Sequence, residues 1–158
     1  MATPDFVLSL RERIGHELLW MPGVTAIVLD AGRTRLLAVQ RADDGTWTPV
    51  TGIIDPGEEP ARAAVREVAE EAGIGCRALR LVDVRALPPI TYPNGDRAQY
   101  LDLCFLCEAD GEAVPFPADG ENSAARWFPL DAPPPMNERF MEQLALARED
   151  AAETRFRR

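Results

Sequence analysis

The chain has no lysine. All seventeen basic residues are arginine, which excludes Schiff-base lysine chemistry and a lysine phosphate clamp; the bias itself reads as coding preference. Histidine is nearly absent too, and the one residue, His16, lies among Arg and Glu on an expected N-terminal helix, where a surface or packed side chain is the natural reading. Three cysteines, Cys76, Cys104 and Cys107, are too few and odd in number for a secreted disulfide framework. Cys104 and Cys107 form a C-x-x-C, but in a strand-like run residues three apart point to opposite faces. A zinc site would need two further ligands, with only Cys76 and His16 left to supply them. Buried free thiols are therefore expected. The longest apolar runs, Val24–Leu29 and Leu101–Cys107, fall well short of the ~20 residues of a membrane-spanning helix. The first ten residues lack a basic segment followed by an apolar stretch, so no secretory signal is expected and the cytoplasm is the expected location. A basic excess is also missing. Twenty-six acidic residues give a net charge of −9 and a pI near 4.6, which opposes non-specific binding to nucleic acid or anionic lipid. A phosphorylated substrate would need local arginines or a divalent cation as a bridge.

What is present fits one globular unit. With 158 residues, 46% apolar and 27% charged, the chain can bury a core and is expected to form a single domain over residues 1–158. No repeat or long Ser/Gly linker divides it. Phe6, Val7, Leu10, Ile14 and Leu18 follow helical spacing and predict a helix over about 5–18, ending before Pro22-Gly23. Val24–Asp30 and Arg35–Gln40 are β-rich and read as a hairpin around Asp30-Ala31-Gly32-Arg33. Trp47–Ile54 is a further extended candidate, closed by Asp55-Pro56-Gly57. Ala61, Ala64, Val65, Val68 and Ala72 then share one helical arc over Pro60–Ala72, with Pro60 suited to the first turn and Gly73 to the stop. Strands are predicted at about Leu79–Arg85 and Gln99–Glu108, linked through a turn at Tyr92–Asp96, and at Ala124–Phe128. A last helix is predicted over about 136–151. Strands with helices before, between and after them imply an α/β fold, a mixed sheet covered by helices.

The chemistry is concentrated in residues 52–74, GIIDPGEEPARAAVREVAEEAGI. On a helix advancing 100° per residue, Glu67, Glu70 and Glu71 crowd an arc of about 100°. Like charges at these spacings repel by a few tenths of a kcal/mol per pair. The helix C-terminal half, where they sit, further disfavours negative charge. A hard divalent cation takes oxygen ligands, and such a face supplies them. The alternative is a solvated acidic face. Arg66 can hold a neighbouring carboxylate through its planar fork. Gly52 leaves room for close approach, and the Asp55-Pro56-Gly57 bend could turn Glu58 toward the same cluster.

Gly52, five residues, Glu58, seven residues, then Arg66-Glu67-Val68-x-Glu70-Glu71-x-Gly73-Ile74 resembles the full signature of the Nudix hydrolases, which cleave nucleoside diphosphates linked to a variable moiety. Thr51 stands where many relatives carry a second glycine. The resemblance implies an α/β/α sandwich with a mixed β-sheet on which the motif helix packs. It implies Mg²⁺, with Mn²⁺ as a substitute, held by Glu67, Glu70 and Glu71 with the Gly52 carbonyl as a further ligand, Glu58 supporting the cluster and Arg66 orienting Glu67. The base that takes a proton from water varies in the family: Glu121, in the loop before Trp127, is one candidate, Glu67 and Glu70 are others, and Asp119 is a weaker substitute.

Arg41, at the end of the second predicted strand, is a candidate phosphate contact, with an ion pair to Asp43 or Asp44 as the alternative. Trp20, Tyr92 and Tyr100 are candidates to stack a nucleobase, whereas Trp47 and Trp127 read as packing. The expected function is Mg²⁺-dependent hydrolysis of a diphosphate linkage in a small nucleotide, such as a nucleoside triphosphate or a nucleotide sugar like ADP-ribose. The alternative is a nucleotide sensor of the same fold without turnover. An RNA-end hydrolase is a third reading that no basic tract supports, apart from the short Arg155–Arg158 tail. The expected partner is thus a small nucleotide, with no nucleic acid and no membrane; a homodimer is left open.

Overall fold

The computed structural model describes residues 3–149 and 151–156. Helix α1 (Asp5–Ile14) leads into strands β1 (Leu19–Leu29), β2 (Arg35–Arg41), β3 (Trp47–Thr48) and β4 (Val50–Ile53). Helix α2 (Pro60–Ala72) follows, then β5 (Cys76–Ala86), β6 (Ile90–Thr91), β7 (Arg97–Ala109), β8 (Asn122–Pro129), helix α3 (Glu138–Arg148) and β9 (Arg155–Phe156).

The sheet is mixed and centres on β1. One edge of β1 pairs in parallel with β7 along its whole length, from Leu19 opposite Ala98 to Leu29 opposite Glu108. Its other edge is shared. Gly23–Ala26 pair antiparallel with Ile53–Val50 of β4, and β2 meets β1 only where Leu29 faces Leu36. β2 runs instead along β8, from Arg35 opposite Pro129 to Arg41 opposite Asn122. Alternation along β1 feeds both faces of the sheet. Val24, Ala26 and Val28 pack with Ala63, Ala64, Val68 and Ala72 of α2. Ile27 and Leu29 pack with Leu144, Leu146 and Ala147 of α3. Met21 joins Val7 of α1 and Ala98 in a third, smaller cluster. The result is helix α2 on one face and α1 and α3 on the other, the α/β/α arrangement expected from the motif.

Differences from the expected elements have local causes. Helix α1 stops at Ile14, short of the predicted 18, because Gly15 takes φ 57, a conformation glycine adopts without a Cβ penalty. The predicted Trp47–Ile54 strand is two strands, broken at Pro49, which has no N–H to donate. β3 pairs with β2 and β4 with β1. The Tyr92–Asp96 turn joins β6 to β7, with Gly95 at φ 90 and its N–H donated to the Tyr92 carbonyl. Helix α3 begins after Asn137, whose side chain accepts from the Phe140 N–H at 3.0 Å, and ends at Arg148. Arg80 donates to the carbonyls of Leu146 (2.9 Å) and Glu149 (2.8 Å), satisfying the last turn. Residue 150, within the predicted last helix, and Arg157–Arg158 of the basic tail lie outside the described residues. No described helix is long and apolar enough to cross a membrane.

Candidate active site

Helix α2 carries the acidic face as its sequence dictates. Pro60 occupies the first turn, the alanines and valines face the sheet, and Gly73 ends the helix at φ 65. Its C-terminal carbonyls are taken by the β7–β8 loop, with Phe116 N–H donating to Ala72 (3.0 Å) and Ala118 N–H to Glu71 (3.2 Å).

Arg66 organises the acids. Its Nε and Nη2 donate to the two oxygens of Glu58 at 2.9 and 2.8 Å, a bidentate pair. Nη1 donates to Glu67 Oε1 (2.8 Å) and Glu70 Oε2 (3.0 Å), and Nη2 reaches the Ile53 carbonyl at 3.1 Å. All five guanidinium N–H groups are thereby used, and the Glu58 pair holds Arg66 above its ordinary pKa. The guanidinium in turn pulls Glu58 below the usual carboxylate range. Glu58 Oε2 also accepts from the Asp55 N–H at 3.2 Å, so the turn predicted at Asp55-Pro56-Gly57 does direct Glu58 into the cluster.

Glu67 is fully buried, and among the described residues its Oε2 has no hydrogen-bond partner. Burial pushes its carboxyl up to about 7 despite the opposing Arg66. A Cβ added at Gly52 would overlap the Glu67 carboxylate. That requirement, and no turn, explains the glycine within β4. Glu71 is buried as well and likewise raised to about 7 by desolvation. Its Oε2 accepts from Asn122 Nδ2 at 3.1 Å. Glu70 is about half exposed. Among the described residues no three Asp, Glu, His or Cys side chains stand close enough to enclose a metal ion, since Arg66 spreads Glu67 and Glu70 around its fork. The donor set still fits a hard cation. An oxygen-only group with an orphaned carboxylate oxygen inside the protein, and two carboxyls driven toward protonation, lacks positive charge of the kind Mg²⁺ or Mn²⁺ supplies.

The remaining predicted residues are dispersed. Glu121 sits in the exposed loop before β8, its carbonyl accepting from the Ala42 N–H at 2.9 Å, immediately before the Asn122 that holds Glu71. Asp119 accepts from the Glu121 N–H at 3.0 Å. Arg41 pairs with Asp43 at 2.6 and 3.0 Å, the alternative considered for it, and lies opposite Asn122 in the sheet. Tyr92 and Tyr100 join hydroxyls at 2.8 Å and line a cavity of about 780 Å³ that also reaches Gly52. Trp20 is half exposed and is not among that cavity's lining residues. The cysteines are free and buried.

Two groups of polar residues escaped the sequence reading. Asn122 is one; a lone Asn at a strand start carries no signal until β8 is placed beside α2. The other is the cavity floor. Thr25 Oγ1 donates to Asp102 Oδ1 at 2.7 Å, and Arg139 Nη1 and Gln143 Nε2 donate to Asp102 Oδ2 at 3.0 and 2.7 Å. Asp102 inside the apolar run Leu101–Cys107 was a visible anomaly.

A three-layer fold with an arginine-braced glutamate face on one helix, joined through a glycine in a strand to a cavity, defines an α/β protein with an acidic site beside a pocket. The chain belongs to the NUDIX domain family, which matches residues 19–152. It is 33% identical over 117 residues to a MutT-like protein of Streptomyces ambofaciens, covering 74% of this chain and 68% of that protein. It is 30% identical to Nudix hydrolase 6 of Arabidopsis thaliana over 80% of this chain and 29% identical to an NAD-capped RNA hydrolase NudC of Pseudomonas aeruginosa over 73%. This chain spans only 47% and 38% of those two proteins. An ADP-ribose pyrophosphatase from Streptococcus suis superimposes with a TM-score of 0.65 at 27% identity, covering 87% of this chain and 98% of that one.

Proposed function

We propose that this chain, acting as one domain in the cytoplasm, hydrolyses a diphosphate linkage in a small nucleotide, a nucleoside triphosphate or a nucleotide sugar such as ADP-ribose, with Mg²⁺ or Mn²⁺. The observation that carries this is the buried Glu67 with its orphaned Oε2, beside an arginine whose donors are all engaged. The named activities of the ADP-ribose pyrophosphatase and of the NudC proteins support the same linkage chemistry.

Glu67 Oε2, Glu70, Glu71 and the Gly52 carbonyl are the groups that would hold the cation, with Glu58 and Arg66 fixing their orientation. The bound cation would supply charge neutralisation of the diphosphate oxygens and a Lewis-acid hold on them. This chain's own residues do the rest. Arg66 pins Glu67 Oε1, and Oε2 is left without a partner among the described residues. Asn122 pins Glu71. Glu121, Glu67 or Glu70 accepts the proton of the attacking water, and no covalent intermediate is needed. Arg41 is released from Asp43 to pair with a substrate phosphate.

The test is a panel of nucleoside triphosphates, nucleotide sugars and NAD-capped RNA, with products identified with and without Mg²⁺ and with Glu71→Gln. Metal-dependent release from a small nucleotide, lost in the variant, is expected. Nucleotide binding with no product for any substrate would favour a sensor and overturn the proposal.

A further inference from the structure

The cavity that reaches Gly52 lies on the α1 and α3 side of the sheet, and its volume of about 780 Å³ falls within the ~300–1,000 Å³ of small-ligand sites. Its charged lining consists of two pairs. Arg11 stands 3.7 Å from Asp96, and Arg139 stands 3.0 Å from Asp102. Among the described residues each cation is matched by an acid, so this lining offers no spare charge for a further phosphate or carboxylate. Apolar and aromatic walls, among them Met21, Ile53 and Tyr100, suit a flat, uncharged group.

The floor is built around Asp102. Asp102 is buried, with its Oδ1 taken by Thr25 and its Oδ2 by Arg139 and Gln143. It offers little to an incoming donor. Arg139 differs. Its Nη1 serves Asp102 and Thr25, at 3.0 and 3.3 Å, while among the described residues no acceptor pairs with Nε or Nη2. The guanidinium is braced from two sides, by Asp102 and by the Phe140 ring 4.0 Å below it, and it lines the cavity with about a quarter of its side chain exposed. A fixed guanidinium with unused N–H groups matches two adjacent acceptors in one plane. On a purine those are O6 and N7 of a 6-oxopurine; a 6-aminopurine turns a donor toward the same place.

We propose that this cavity is the nucleobase site and that Arg139, held by Asp102, is a specificity-determining residue selecting 6-oxopurines over adenine. The inference rests on the nucleotide reading of the neighbouring acidic site. Gly52 lines this cavity and also abuts the Glu67 carboxylate.

Calorimetric titration with IMP, GMP and AMP tests it without requiring turnover. IMP and AMP differ at the six-position edge, so the wild-type comparison does not depend on any variant folding. IMP and GMP are expected to bind roughly 5- to 100-fold tighter than AMP, the range of one bidentate contact. Arg139→Lys keeps the charge beside Asp102 but loses the fork, and Arg139→Gln loses both; in each the ratio falls toward one. AMP binding as tightly as IMP, no detectable IMP or GMP binding, or a ratio that survives both variants overturns the assignment. Diphosphate hydrolysis without a 6-oxopurine advantage would sink the base assignment alone. Selective IMP binding by a chain that turns nothing over would sink the hydrolase and leave the cavity reading intact.

Discussion

Glu67 makes the metal-free protein's stability depend on pH with a definite sign. Its folded-state carboxyl lies near 7 because burial disfavours the charged form, against an ordinary value of 4.5. Between these values the folded chain holds a proton that the unfolded chain has released. The contribution is therefore fully present below pH 4.5 and is lost as pH rises through 7. The slope reaches about 1.4 kcal/mol per pH unit, and the whole window is worth about 3.4 kcal/mol at most. Glu71, raised to about 7 by its own burial, adds a decline of the same sign. Asp30, held down to about 2 with Thr34 and Arg35 donating to it against the cost of burial, acts with the opposite sign but below this window. Urea unfolding in EDTA from pH 5 to 7.5 should show stability falling, and Glu67→Gln should remove roughly half of the fall whatever its effect on absolute stability. Saturating Mg²⁺ should restore more stability at pH 7.5 than at pH 5, because only the ionised carboxylates bind it. Equal declines in wild type and Glu67→Gln, or no decline in wild type, would refute the reasoning.

Three further substitutions probe the same site. Gly52→Ala places a methyl group into the Glu67 carboxylate; we expect a loss of about 1–3 kcal/mol in denaturant midpoints from overpacking, together with loss of turnover. Arg66→Lys keeps a charge but cannot hold Glu58 bidentately while bridging Glu67 and Glu70, so kcat should fall by about 10- to 100-fold, as outer-shell partners of a metal site do when lost, with far-ultraviolet circular dichroism unchanged. Asn122→Ala removes a hydrogen bond to the buried Glu71 carboxylate, costing about 1.5–3 kcal/mol in EDTA. The same variant should lose less at saturating Mg²⁺, where the cation stabilises that charge, and an equal loss in both buffers would mark Asn122 as purely structural.

Local signals made part of this readable from the residues. Helix α2 was visible end to end, since Pro60, the apolar arc and Gly73 agree with one another. The strands were visible as apolar runs, but their partners were not. Asp30–Arg33 is a good turn, yet β1 and β2 meet only at Leu29 and Leu36, because β4 takes Gly23–Ala26 on that same edge of β1, while β7, far away in sequence, covers the other edge along its full length. Pairing at that separation leaves no local trace. The acids of the motif were legible for the same reason as the helix: their spacing is fixed by one element. Asn122, Asp102 and Arg139 were not, since each acquires meaning only when β8 is laid beside α2 and α3 across β7.

The placement of the acids is costly by every local rule, and the surrounding structure shows how that cost is contained. Carboxylates at 67, 70 and 71 sit toward the negative end of α2. Phe116 and Ala118 direct backbone N–H groups at the last carbonyls of that helix, and Arg66 places one positive charge among three acids, Glu58, Glu67 and Glu70. Among the described residues one cation stands against three anions in the cluster, and the hydrogen-bond partner of Glu71 behind it is the neutral amide of Asn122. A helix selected for stability would bury apolar side chains at 67 and 71, since replacing buried charge by well-packed hydrophobic groups is often neutral or stabilising. Keeping two carboxylates inside the protein without enough positive charge makes sense when the missing charge arrives with a ligand. The fold then presents an unmet electrostatic demand beside Gly52, where the acidic helix face and the cavity meet.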